Sequence, residues 1–110
     1  MADDFKVLDQ IEPAAATLTA GVAVPASHSW IVGSIWVCNL SPVGTSFRIA
    51  VSPAAAAIVN KHYLYFGTPI PGNETLQIVG GPTLAATDIF RVYAELATLS
   101  FNFFGDEVDA

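Results

Sequence analysis

Few residues in this chain are of a type that performs chemistry, and their spacing joins none of them into a site. Only His28 and His62 carry the side chain that serves as a general base near neutral pH. His28 sits between Ser27 and Ser29 at the entry to an apolar run, and His62 lies between Lys61 and Tyr63. A hydrolytic triad needs a nucleophile, a base and an orienting acid. Serines and acids are present, but their order connects none of them to either histidine, and both histidines read as strand-edge or loop residues. Two histidines and the lone Cys38 do not make a zinc spacing. Asp88 with a turn carbonyl is a weak cation site at best. Gly80-Gly81-Pro82 lacks the Lys-Ser/Thr ending of a phosphate loop. Paired carboxylates of the glycosidase kind have only Glu74, Asp88 and Glu95 to draw on in the body of the chain, none inside a motif. The expectation is a protein that is not an enzyme, with no cofactor and no metal.

The remaining candidates are for binding. Tyr63, Tyr65, Phe66 and Tyr93 are grouped as interface aromatics, since tyrosine is favoured where proteins meet. A carbohydrate-binding module would use Tyr63, Tyr65 or Trp30 as stacking rings. Charge narrows the partner further. The chain has 110 residues, 53% hydrophobic and 13% charged, with a net charge of −6. The acids concentrate at the ends: Asp3, Asp4, Asp9 and Glu12 at one, Asp106, Glu107 and Asp109 at the other. Between Pro13 and Gly105 three acids face Arg48, Lys61 and Arg91, so the body is neutral. Direct binding to a nucleic-acid backbone needs clustered Lys and Arg, and there is no such cluster. One small domain with this much apolar material leaves some of it exposed, which favours self-association or docking on a partner.

The elements that position these residues read as strands. The centre is Trp30–Asn39, uncharged and apolar on both parities: Trp30, Val32, Trp36 and Cys38 on one, Ile31, Ile35 and Val37 on the other. That pattern predicts a central strand covered on both faces, with Cys38 as a small buried hydrophobe. The run is about half the length of a helix that crosses a bilayer, and the start of the chain has no apolar signal core. Phe5–Ile11 alternates loosely, as an edge strand or an arm. Ala16–Val24 is a short bent strand. Ser46–Val51 turns Phe47, Ile49 and Val51 inward. Ser52-Pro53 followed by four alanines is the one helix-like signal, worth a turn or two. Asn60–Phe66, Glu74–Val79, Ile89–Ala94 and Ala97–Phe104 complete the set, with Gly67–Asn73 as a rigid turn and Gly105 as a terminator. Seven to eight short strands between Gly/Pro loops predict an all-β antiparallel two-sheet sandwich with jelly-roll-like connections. The organisation is residues 1–12 as arm or edge strand, 13–105 as the sandwich and 106–110 as an acidic tail.

Stretches spread along the chain also carry a family resemblance. They are Lys6–Gln10, Pro13–Thr19, Val24-Pro25, Ser34–Asn39, Phe47–Val51, Leu64–Phe66, Asn73–Thr75, Thr87-Asp88 with Val92-Tyr93, and Leu99–Gly105. Most weight falls on Val37-Cys38-Asn39, on Phe47-Arg48-Ile49-Ala50-Val51 and on the final Leu-Ser-Phe-Asn-Phe-Phe-Gly. Over nearly its whole length the chain resembles a family of small tailed-bacteriophage virion structural proteins. The resemblance implies a β-sandwich displayed on the particle, made in the host cytoplasm and assembled as a homo-oligomer, a trimer being a common arrangement. Its partner would be the major capsid protein or another virion protein, with no nucleic acid and no membrane. The expected role is a decoration or cement protein of the capsid shell. A tail, neck or fibre-associated protein of the same fold is the alternative. The docking segment is expected at Ala2–Glu12, through Asp3, Asp4, Phe5, Val7 and Leu8, or at the tail Asp106–Ala110. Deleting Ala2–Glu12 is expected to leave a folded domain that no longer joins particles.

Overall fold

The computed structural model describes the backbone of residues 3–109 and side chains of residues 5–109. Among the described residues there are nine strands: β1 (Asp3–Ile11), β2 (Thr19–Ala23), β3 (His28–Asn39), β4 (Thr45–Ser52), β5 (Tyr63–Ile70), β6 (Thr75–Val79), β7 (Thr83–Leu84), β8 (Ile89–Ala94) and β9 (Leu99–Asp109). All pair antiparallel. One sheet has the order β1-β9-β3-β6, with the short β7 also on β3, and the other runs β2-β8-β4-β5. The first long strand pairs with the last, the second with the last but one, and so inward to β4 with β5. A single long hairpin wrapped on itself gives this order, and it is the jelly-roll winding, in a two-sheet antiparallel sandwich.

The core is what alternation delivers from both inner faces. Phe47, Ile49, Phe90, Val92, Leu99, Phe101 and Phe103 are fully buried. Phe90 stacks on Phe103 with centroids 4.1 Å apart, and Phe47 meets Phe101 edge-on at 5.8 Å. Such ring pairs add about 0.5–1.5 kcal/mol beyond area burial.

Four expectations change. First, β3 is central in its sheet but covered on one face only. The register against β9 slips between Val32 and Ser34, leaving Gly33 as an extra residue. This bulge switches the parity, so Trp30 and Val32 share the core face with Ile35 and Val37, all buried. Ile31 and Trp36 point outward, 48% and 38% exposed. Cys38, on the same outer face, is half-buried rather than part of the core. Second, residues 106–109 are no tail: β9 runs through Gly105 to Asp109, pairing with β1 and β3. Gly105 is a crossing point rather than a terminator, because a Cβ there would lie 2.2 Å from the Ile31 carbonyl oxygen. Third, β5 extends to Ile70 through Pro69. Proline is tolerated there because β5 is the edge of its sheet.

Fourth, the segment after β4 forms two short 3-10 turns, Pro53–Ala55 and Asn60–His62, rather than α-helix. Ala54 and Ala55 have φ of 50° and 59°, left-handed values that alanine adopts only at a cost. The Ser52 hydroxyl donates to the Ala56 carbonyl and does not cap the turn. Asp88 holds this segment in place. Its carboxylate accepts from the Ala54 N–H at 2.8 Å and from the Ala85 N–H at 2.9 Å. That occupies the group considered as a cation ligand, and no cluster able to hold a metal exists among the described residues.

Candidate interaction surfaces

The sandwich presents two outer sheet faces and two sides where the sheets' edges meet. On the first sheet, register places Val7, Phe104, Ser34 and Val79 in one row across four strands, and Gln10, Asn102, Trp36 and Gln77 in the next. Val79 is 82% exposed, and the two rows carry no charge. Beyond the bulge, Phe5 and Ile31 share a row with Asp106. A shallow groove on this face is lined by Ser34, Trp36, Cys38, Thr75, Asn102 and Phe104. The Trp36 indole N–H donates to Ser34 Oγ at 3.2 Å.

This corrects the docking arm. Residues 3–11 are a paired edge strand, not a free segment. Phe5 and Val7 do point outward and are exposed, whereas Leu8 is buried in the core and is withdrawn as a contact residue. Ile11 is buried beside it. Deleting residues 2–12 would remove both and strip β9 of one of its two partner strands, leaving only β3, so the truncated chain is not expected to fold as the sequence suggested. Ala2 and Ala110 lie outside the described residues, as do the side chains of Asp3 and Asp4.

The outer face of the second sheet is built around Arg48. It opposes Tyr93 across the β4–β8 ladder. Its guanidinium lies between two rings, 4.1 Å from the Phe66 centroid and 4.2 Å from the Tyr93 centroid, an arrangement that cation–π attraction favours. Phe66 in turn meets Tyr63 edge-on at 5.0 Å. Three of the four candidate aromatics therefore do come together, with Arg48 as the element that sequence reasoning missed. Its outward parity was legible, but the ring on each side of it was not. Tyr65 belongs elsewhere. It faces inward opposite Ile49 and packs on Phe47, with centroids 6.2 Å apart. Trp30, the other proposed stacking ring, is 2% exposed.

The side where β1 meets β2 is closed by Asp9. Its carboxylate accepts from the Gln10 N–H at 2.9 Å and from the Val22 N–H of β2 at 3.1 Å. Burial raises its pKa above the ordinary 3.8, and the two backbone hydrogen bonds oppose that rise. Gly21 is required beside it, since a Cβ there would lie 2.0 Å from Asp9 Oδ2. The opposite side, between β5 and β6, stays open as a groove lined by Ile35, Tyr63, Tyr65, Ile78 and Pro82.

One end of the sandwich carries a polar knot. Glu107 accepts from Lys6 Nζ and from the Trp30 indole N–H, each at 2.8 Å. The Lys6 bond first, then the Trp30 bond, hold its carboxyl below the ordinary 4.5. The histidines are distant in role. His28 Nδ1 lies 2.9 Å from the Ala26 carbonyl, with Nε2 3.7 Å from Asp109. His62 Nδ1 accepts from the Val59 N–H at 3.1 Å. Neither is hydrogen-bonded to a serine hydroxyl among the described residues.

No protein-family model matches the chain, and no curated protein matches it.

Proposed function

We propose that this chain is a non-enzymatic structural protein of a bacteriophage particle, which decorates and cements the capsid shell as a homo-oligomer. The observation that carries the docking role is the outer face of the first sheet, which exposes Phe5, Val7, Ile31, Trp36 and Val79 on a well-packed sandwich and is uncharged along the Val7 and Trp36 rows. Burying such a face stabilises a contact by about 25 cal/mol per Å², and repetition over many copies multiplies a modest contact. The jelly-roll winding is shared by viral coat domains and by lectins, an analogy of fold alone. The viral setting rests on the sequence resemblance. The test is the position and copy number of the chain in purified virions by cryo-electron microscopy. Density repeated over the icosahedral shell is the expected result. Density confined to the tail or neck would transfer the proposal to a tail-associated protein, and absence from the particle would overturn both.

A further inference from the structure

The edge of β6 is unlike the other three sheet edges. β6 is last in its sheet, and among the described residues nothing pairs with its outer side. The direction of its backbone groups follows from the hydrogen bonds at its two ends. The Asn39 N–H donates to the Glu74 carbonyl at 2.9 Å, and the Gly80 N–H to the Gly33 carbonyl at 2.7 Å. In an antiparallel ladder the bonded residues alternate, so residues 74, 76, 78 and 80 face β3. Thr75, Gln77 and Val79 therefore turn their N–H and C=O groups to the free edge. β6 contains no charge, proline or glycine, and its register against β3 is regular.

The other edges are protected in the ways edge strands usually are. β1 carries Asp3, Asp4, Lys6 and Asp9 and a register shift. β2 contains Gly21, also shifts register, and is tied to β1 through Asp9. β5 carries Pro69 and two register shifts.

We propose that β6 pairs with β6 of a second copy, antiparallel about a two-fold axis through Gln77, joining two sheets into one. Gln77 then faces the partner's Gln77, and Thr75 faces the partner's Val79. All three positions are bonding pairs, which gives about six new backbone hydrogen bonds. On the inner side Leu76 meets the partner's Ile78, so apolar residues that pack on each core also pack on each other. Glu74 falls opposite the partner's Gly80, so no like charges meet. The pairing also covers the open groove beside Ile35 and Ile78. A second copy fits better than an unrelated strand because every position finds a compatible one in this same sequence. A five-residue edge is about 17 Å long. Such a contact falls below the roughly 1,200 Å² of stable complexes, so it dissociates on dilution and gains strength where copies are already held side by side. The inference is independent of where the protein resides.

The experiment is sedimentation analysis of the full chain across a dilution series. A concentration-dependent dimer is expected. Gln77→Lys, at an exposed outer-face position, sets two like charges directly opposite and should weaken dimerisation at least tenfold. Gln77→Pro should do the same, because the N–H it removes bonds nothing within the chain and proline is tolerated at such an edge. Circular dichroism of both variants verifies that they fold. Gln77→Cys in a Cys38→Ser background provides a positive readout. A bonding pair sets the two Cα atoms about 5.5 Å apart, within disulfide range, so mild oxidation should yield a covalent dimer. A monomer at all concentrations, a trimer, or a dimer that neither Gln77→Lys weakens nor Gln77→Cys cross-links would overturn the proposal.

Discussion

The two tryptophans test the bulge at Gly33. Simple alternation puts Trp30 and Trp36 on one face, so truncating either should cost a similar amount. The structure separates them. Trp30 is 2% exposed and its indole bonds Glu107, whereas Trp36 is 38% exposed on the outer face. Trp30→Ala loses the whole transfer term, leaves a cavity and removes a hydrogen bond to a carboxylate. Truncating a buried tryptophan in this way costs about 3–5 kcal/mol, against a total stability of about 5–15 kcal/mol. Trp36→Ala loses only part of the area term, and solvent fills the space, so about 1–2 kcal/mol is expected. The gap of about 2 kcal/mol between the two corresponds to about 8 °C or more in Tm for a domain of this size. Urea unfolding followed by far-ultraviolet circular dichroism is the assay, because emission would lose half its reporters. It should be run at high dilution, where self-association adds nothing. Costs equal within about 0.5 kcal/mol, the scale of ordinary surface changes, would refute the register slip and the assignment of faces built on it.

Four further outcomes follow from the geometry. Glu107 has a folded pKa below its unfolded value, so its contribution to stability is full above about pH 4.5 and is lost as pH falls through the folded value. Comparing acid unfolding of the parent with Glu107→Gln should show a shallower decline in the variant, and identical profiles would mean that Glu107 contributes nothing to it. Asp9 works in the opposite sense: its pKa is raised, so its contribution falls as pH rises from about 3.8 through the folded value. Removing residues 2–12 should abolish cooperative unfolding, since Leu8 and Ile11 alone are worth about 2–5 kcal/mol each. A truncated chain with a sharp thermal transition would show that β1 is dispensable. Asp88→Ala should cost about 1 kcal/mol and speed amide exchange across residues 53–62, while leaving the core strands protected. Uniform acceleration throughout the chain would contradict a local role.

What the sequence determined by itself was the strand content and most of the inner faces. Alternation in Phe47–Ile49, Ile89–Ala94 and Leu99–Phe103 is a local property, and burial follows from it directly. The uncharged centre and the acidic ends were also readable. Tertiary structure decided what depends on pairing between distant strands. The acidic run after Gly105 looked like a solvated tail because nothing nearby contradicts that reading. It becomes strand only because β1 and β3 lie on either side, and because Lys6 and the Trp30 indole, far away in sequence, satisfy Glu107. The bulge at Gly33 exists only relative to β9, so no periodicity within Trp30–Asn39 reveals it, and with it the sequence concealed which tryptophan is core. The cation–π sandwich at Arg48 likewise required β5 and β8 to flank β4. The free edge of β6 is the plainest case: the strand over Glu74–Val79 is legible in its alternation, but whether a strand is central or last in its sheet is a fact about its neighbours.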